Sequence, residues 1–125
     1  MRKLCLNSRD QLLIVDLDLV AFFQANGNYT RMTYIGGTSH LLSQGLSKVE
    51  EYLRQAWPKD AKSPFIRLGR SLIINQDYLS EINMLRQRLV LSDRGQNNFA
   101  LAIPKPLLKK YKENIYEIYL KTGQK

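Results

Sequence analysis

The sequence predicts a mainly β protein, and three observations carry that prediction. Short runs rich in leucine, β-branched and aromatic residues recur along the chain, each bounded by Gly, Asn, Asp, Ser or Pro. Only two stretches place apolar residues at helical spacing. The 125 residues have the length of one domain with one core, and no low-complexity linker or internal repeat divides them, so residues 1–125 are read as a single domain.

The elements follow in order. "LCLNS" and "QLLIVDL" read as strands joined by the turn-prone "NSRD". "DLVAFFQA" is a third strand, ending at "NGNY", where Asn and Gly tolerate positive φ. "YTRMTYI" sets Tyr29, Arg31 and Thr33 against Thr30, Met32 and Tyr34, the period of two of a half-exposed strand. "GG" then turns the chain into "TSHLLSQ". In "SQGLSKVEEYLRQAW" the recurrence of Leu46, Val49, Leu53 and Ala56 or Trp57 makes the apolar stripe of a first helix, which Pro58 ends. Strands resume with "FIRLG", "SLIIN", "LSEINML", "RLVLS" and "FALAI", with "DRGQNN" as a hairpin turn. A last helix starts near Pro106 and carries Leu107, Leu108, Tyr111, Ile115 and Ile118 along one side. Phe22, Phe23, Tyr34, Trp57, Phe65 and Phe99 are assigned to the core.

Composition excludes several functions. His40 and Cys5 are the only residues of their kinds, so a His/Cys metal cluster cannot be assembled and no internal disulfide can form. There is no Gly-x-Ser-x-Gly, P-loop or dinucleotide-binding glycine motif. Asp16 with Asp18, and Glu50 with Glu51, read as solvated carboxylates, so no enzyme is expected and no cofactor is implied. The absence of a signal peptide, of a long apolar run and of paired cysteines points to the cytoplasm, with no membrane partner.

Charge points elsewhere. Nineteen Lys and Arg face eleven Asp and Glu, a net charge of +8. Such an excess either serves solubility or favours a polyanionic partner, either nucleic acid or an anionic membrane face. It is also uneven. Residues 46–60 balance Lys48, Arg54 and Lys59 against Glu50, Glu51 and Asp60, so the first helix is assigned to structure. Residues 61–75 hold Lys62, Arg67 and Arg70 and no acid, and from residue 104 onward Lys105, Lys109, Lys110, Lys112, Lys121 and Lys125 face only Glu113 and Glu117. "PFIRLGRSLIIN" therefore poses a choice. Its two arginines are solvated edges of an ordinary strand, or they are held out for something anionic, with Arg67 also able to brace the loop.

"FIRLGRSLIINQDYLSEI" resembles the most characteristic stretch of LytTR-type DNA-binding domains, where a Phe-x-Arg-x-His-Arg-Ser run leads into an apolar strand ending in Asn. "DLVAFFQANGNYTRMTYIGG", "LLSQGLSKVEEYL" and "FALAIPKPLLKKYKE" resemble that family's opening segment, its helix and its closing strand with an Ile-Pro turn. The four stretches come in the family's order and cover roughly residues 10 to 115. The resemblance implies an elongated antiparallel β sandwich of about ten short strands with one or two short helices. It implies a bacterial response regulator output domain that regulates transcription by inserting loops into successive grooves of double-stranded promoter DNA. Direct repeats bound by a homodimer on DNA belong to the same expectation.

Carried over to these positions, the first contact loop is "NGNYTR", with Asn28 and Tyr29 at bases and Arg31 at a phosphate. The second is "RLGRS", with Arg67, Arg70 and Ser71. The third is "IPKPLLKK", drawing on Lys105, Lys109 and Lys110. Two departures stand out: Gly69 replaces the family's usual His, and Pro106 and Leu107 stand near its usual Ser-Arg. They support the alternative of a regulatory protein-interaction module of the same fold that has lost sequence-specific reading. Single-stranded nucleic acid ranks behind both, since only "NYTRMTY" interleaves aromatic and basic residues.

Overall fold

A computed structural model describes residues 2–123, so Lys125, counted above with the basic tail, lies outside the described residues. The mainly β expectation holds: among the described residues ten strands form three antiparallel sheets, with two α-helices. The backbone clusters into two compact units, Met1–Tyr78 and Leu79–Lys125.

In the first unit β1 (Lys3–Asn7) and β2 (Leu12–Asp16) pair as a hairpin. A five-stranded sheet follows, built from β3 (Val20–Asn26), β4 (Tyr29–Tyr34), β5 (Ser39–Leu42), β6 (Phe65–Leu68) and β7 (Leu72–Asn75). Its spatial order is β5-β4-β3-β7-β6. Two local hairpins are thus joined through a long-range pairing, Phe22↔Ile74, Phe23↔Ile73 and Gln24↔Leu72. Helix α1 (Leu46–Gln55) lies over β3, β4 and β7 and buries Leu46, Val49 and Leu53 as its periodicity predicts. These join Phe23, Met32, Leu42 and Ile73 in one core cluster.

The central strands β3 and β7 are buried on both faces, so they read as continuous apolar runs rather than alternating ones. Asn75, 1% exposed, is the polar exception. Its side-chain amide donates to the Val20 carbonyl at 2.9 Å, and its oxygen accepts from the Asp77 N–H at 3.0 Å, so the buried group is satisfied. Phe65 and Trp57 pack on the cluster's margin, 5.8 Å apart edge to face. Arg2 stacks 4.6 Å above the Trp57 ring and also donates to the Ala56 carbonyl, tying the start of the chain to the end of α1. Ile66 is only partly buried because β6 is an edge strand.

The second unit is a three-stranded meander, β8 (Leu79–Asn83), β9 (Arg88–Ser92) and β10 (Asn98–Ala102), followed by α2 (Lys105–Lys121). Leu89 and Leu91 on the central strand are fully buried, as is Leu108 of α2. Burial pushes the Tyr111 phenol well above its usual range, with a smaller contribution from Tyr119. The apolar row expected along α2 is buried only in its first half, since Ile118 is 46% exposed beside exposed Tyr119 and Leu120. Among the described residues, no helix is long and apolar enough to cross a membrane.

Candidate nucleic-acid interface

The β3–β4 hairpin closes through two residues, Gly27 and Asn28, between the paired Asn26 and Tyr29. Gly27 has φ +62° while Asn28 does not enter the left-handed region, the signature of a II′ turn that matches strand twist. The turn therefore puts Asn28 and Tyr29 at the very tip, where Asn28 is exposed and Tyr29 is half exposed. Alternation below the tip buries Thr30, whose hydroxyl donates to the Gln44 carbonyl at 2.8 Å. Arg31 points the opposite way, into solvent, with a long 3.4 Å contact to Ser39.

The β6–β7 hairpin closes through three residues, Gly69, Arg70 and Ser71, between the paired Leu68 and Leu72. Gly69 has φ +71°, a conformation in which a side chain is strained, and this is a backbone reason for glycine there. The Ser71 carbonyl accepts from the Ala25 N–H at 2.8 Å, so this loop sits beside the Gly27–Asn28 turn at one end of the sheet. The start of α1 is at the same end, with the Asn28 carbonyl 3.5 Å from where a Cβ on Gly45 would lie.

The two arginines of this hairpin behave differently. Arg70 and Ser71 are exposed, and among the described residues the Arg70 guanidinium has no hydrogen-bond or ion-pair partner. Arg67 has its guanidinium engaged on all sides. Nε donates to the Gly69 carbonyl at 2.9 Å and Nη2 to the Arg70 carbonyl at 2.9 Å. Nη1 meets Glu50 Oε1 at 3.1 Å, with Ser47 Oγ at 3.5 Å. The segment has no acid in sequence, yet the fold supplies one from α1. Sequence reasoning missed Glu50, and its only signal was a position on the face of α1 next to the buried Val49 and Leu53.

Lys105, Lys109 and Lys110 stand exposed on the first turns of α2, in the second unit. Asn28, Tyr29, Arg31, Arg67, Arg70 and Ser71 thus share one sheet end, while the three lysines belong to the other unit. Two other cations, Lys48 and Arg94, are already engaged. Lys48 pairs with Glu51 at 3.6 Å and lies over the Tyr52 ring, and Arg94 donates to the Leu79 carbonyl at 3.2 Å. A cleft of about 360 Å³ between β8 and α2 mixes Glu81 with Arg94 and Lys112, so it offers no field of one sign. Among the described residues no cluster of His, Cys, Asp and Glu could hold a metal ion. What the sheet end offers is exposed Asn and Arg side chains on short, hydrogen-bonded loops. Such groups can accept and donate to base edges or phosphates.

Comparison with known proteins follows the same direction. The profile described as the LytTr DNA-binding domain matches residues 10–116. A solved structure, the LytTr DNA-binding domain of a protein described as a methyl-accepting/DNA response regulator from Bacillus cereus, superposes with a TM-score of 0.58 at 20% sequence identity. The match covers 90% of this chain and 95% of that one. No curated protein matches the sequence.

Proposed function

Because the chain belongs to the LytTr DNA-binding domain family, we propose that it reads specific sequences in double-stranded promoter DNA. Reading is by loops, and the protein acts as a cytoplasmic regulator of bacterial transcription. The Gly27–Asn28 turn and the Gly69–Ser71 loop enter a groove together. Asn28, Tyr29 and Arg70 address base edges there, while Arg31 and Ser71 address phosphates. Lys105, Lys109 and Lys110 add phosphate contacts from α2, and pairs of chains occupy direct repeats. One observation supports this most: Arg70 is exposed, with no side-chain partner among the described residues, on a loop hydrogen-bonded to the strand that carries the other tip.

Titration of a labelled duplex across a series of salt concentrations tests the reading. Neutralising about five phosphates gives a log–log slope near −4 to −5. A slope of zero, or no duplex binding at low salt, refutes it and turns attention to a protein partner for the same face.

A further inference from the structure

We infer that Arg67 is a positioning residue, not a DNA contact, and that Glu50 of α1 holds it in that role. The inference rests on the DNA-reading proposal above and concerns how the reading loop is kept in shape. A three-residue hairpin loop leaves its own carbonyls outside the sheet ladder. Arg67 meets two of them in succession, Gly69 and Arg70, with Nε and Nη2 at 2.9 Å each. A planar guanidinium aims donors of a rigid fork at both oxygens and keeps another for a carboxylate, whereas a lysine ammonium is one compact point charge on a flexible stem. Holding the Arg70 carbonyl inward leaves the Arg70 side chain outside.

Glu50 completes the device. Its carboxylate takes Nη1 at 3.1 Å, with the Arg67 side chain 23% exposed and that of Glu50 36% exposed. Two neutral carbonyls alone leave a positive charge free to swing toward a phosphate. With the carboxylate behind it, that charge is neutralised on the side away from the loop tip. The first helix, whose surface charge is otherwise balanced, thereby sets the shape of the reading loop. Specificity gains because a loop cation that can pair with any phosphate raises affinity for every sequence alike.

The sign of the Glu50→Ala effect decides the matter. The probes are a duplex enriched by the wild-type protein from a randomised pool and a scrambled duplex of equal length. Glu51→Ala makes the same change of net charge on the adjacent residue and is the control. With the clamp, Glu50→Ala strengthens scrambled-duplex binding beyond Glu51→Ala and steepens the salt slope by about one. It also lowers the enriched-to-scrambled ratio by about fivefold or more. Arg67→Lys does not restore the ratio lost in Arg67→Ala, and backbone order parameters of Gly69, Arg70 and Ser71 fall in the free Glu50→Ala protein. The inference is overturned if Arg67→Ala weakens both duplexes equally and flattens the slope by one, since Arg67 then touches phosphate. It is overturned equally if Glu50→Ala matches Glu51→Ala. Should Arg67→Ala fail to fold, Glu50→Ala carries the test. If the wild-type protein enriches no sequence, the DNA-reading proposal fails. The order parameters then still decide the clamp, and unchanged values refute it.

Discussion

Replacing Leu53 by alanine measures how firmly α1 is held on the sheet. Leu53 is 3% exposed and sits among Val49, Phe23 and Ile73 in the core cluster. The change removes three carbons from that cluster, about 2.4 kcal/mol of transfer free energy at roughly 0.8 kcal/mol each. The space left behind adds to this, which is why buried Leu→Ala changes span about 2.7–5.0 kcal/mol. Here the added term falls toward the low end. A cleft of about 80 Å³ already borders Leu53, and Glu50, Arg54, Ser63 and Arg67 line it, so water entering the new space finds polar partners. The expected cost is therefore about 3 kcal/mol. Urea denaturation followed by Trp57 fluorescence reads it, because the ring packs on Phe65 at the end of the same helix. The midpoint should fall with the slope unchanged. A cost below about 1 kcal/mol refutes the assignment of α1 to the core.

The remaining predictions concern the loops. Arg70→Ala should leave stability within about 0.5 kcal/mol, because the side chain has no partner to lose among the described residues. It should cost about 1–3 kcal/mol on an enriched duplex and much less on a scrambled one, by parallel anisotropy titrations. Lys109→Ala should instead weaken both duplexes alike and reduce the salt slope by about one. Gly69→Ala, at φ +71°, should destabilise by about 1 kcal/mol in a urea melt, and Gly69→Asn by less, since Asn tolerates the left-handed region. The Asn97 side chain and the Gly95 N–H hold the Asp93 carboxyl below its usual 3.8. A depressed folded value means its contribution is complete above 3.8 and is lost as pH falls through the lower folded one. The Gly95 and Asn97 amide shifts should therefore titrate with a midpoint below 3.8, and a midpoint above it refutes the turn geometry.

Local features were legible in the sequence because local physics sets them. The NGNY turn, the stripe of Leu46, Val49 and Leu53, and Pro106 at the start of α2 each follow from a few neighbouring residues. The candidate site was legible only in part, and the division follows sequence distance. Arg70 is exposed for a local reason, its place in a hairpin loop. A bracing role for Arg67 was legible, but its partner was not, because Glu50 lies 17 positions away on a helix that only the packed sheet brings near. Gly69 read as a missing side chain, whereas its φ of +71° makes it a requirement of the backbone. The neighbouring of the two loops depends on the β3–β7 pairing, which no local pattern announces.

That pairing also acts as a ruler. Neighbouring strands in a sheet stand about 4.8 Å apart, and the two hairpins occupy consecutive strand pairs in the order β4-β3-β7-β6. Their tips are therefore centred about 10 Å apart, close to three base-pair steps at about 3.4 Å each. Backbone hydrogen bonds set the interval, so it cannot stretch without breaking the middle of the sheet. On the proposed reading, a binding site should tolerate a changed base between its two contacted positions far better than an inserted one. Operators for this protein should vary in spelling and keep their spacing.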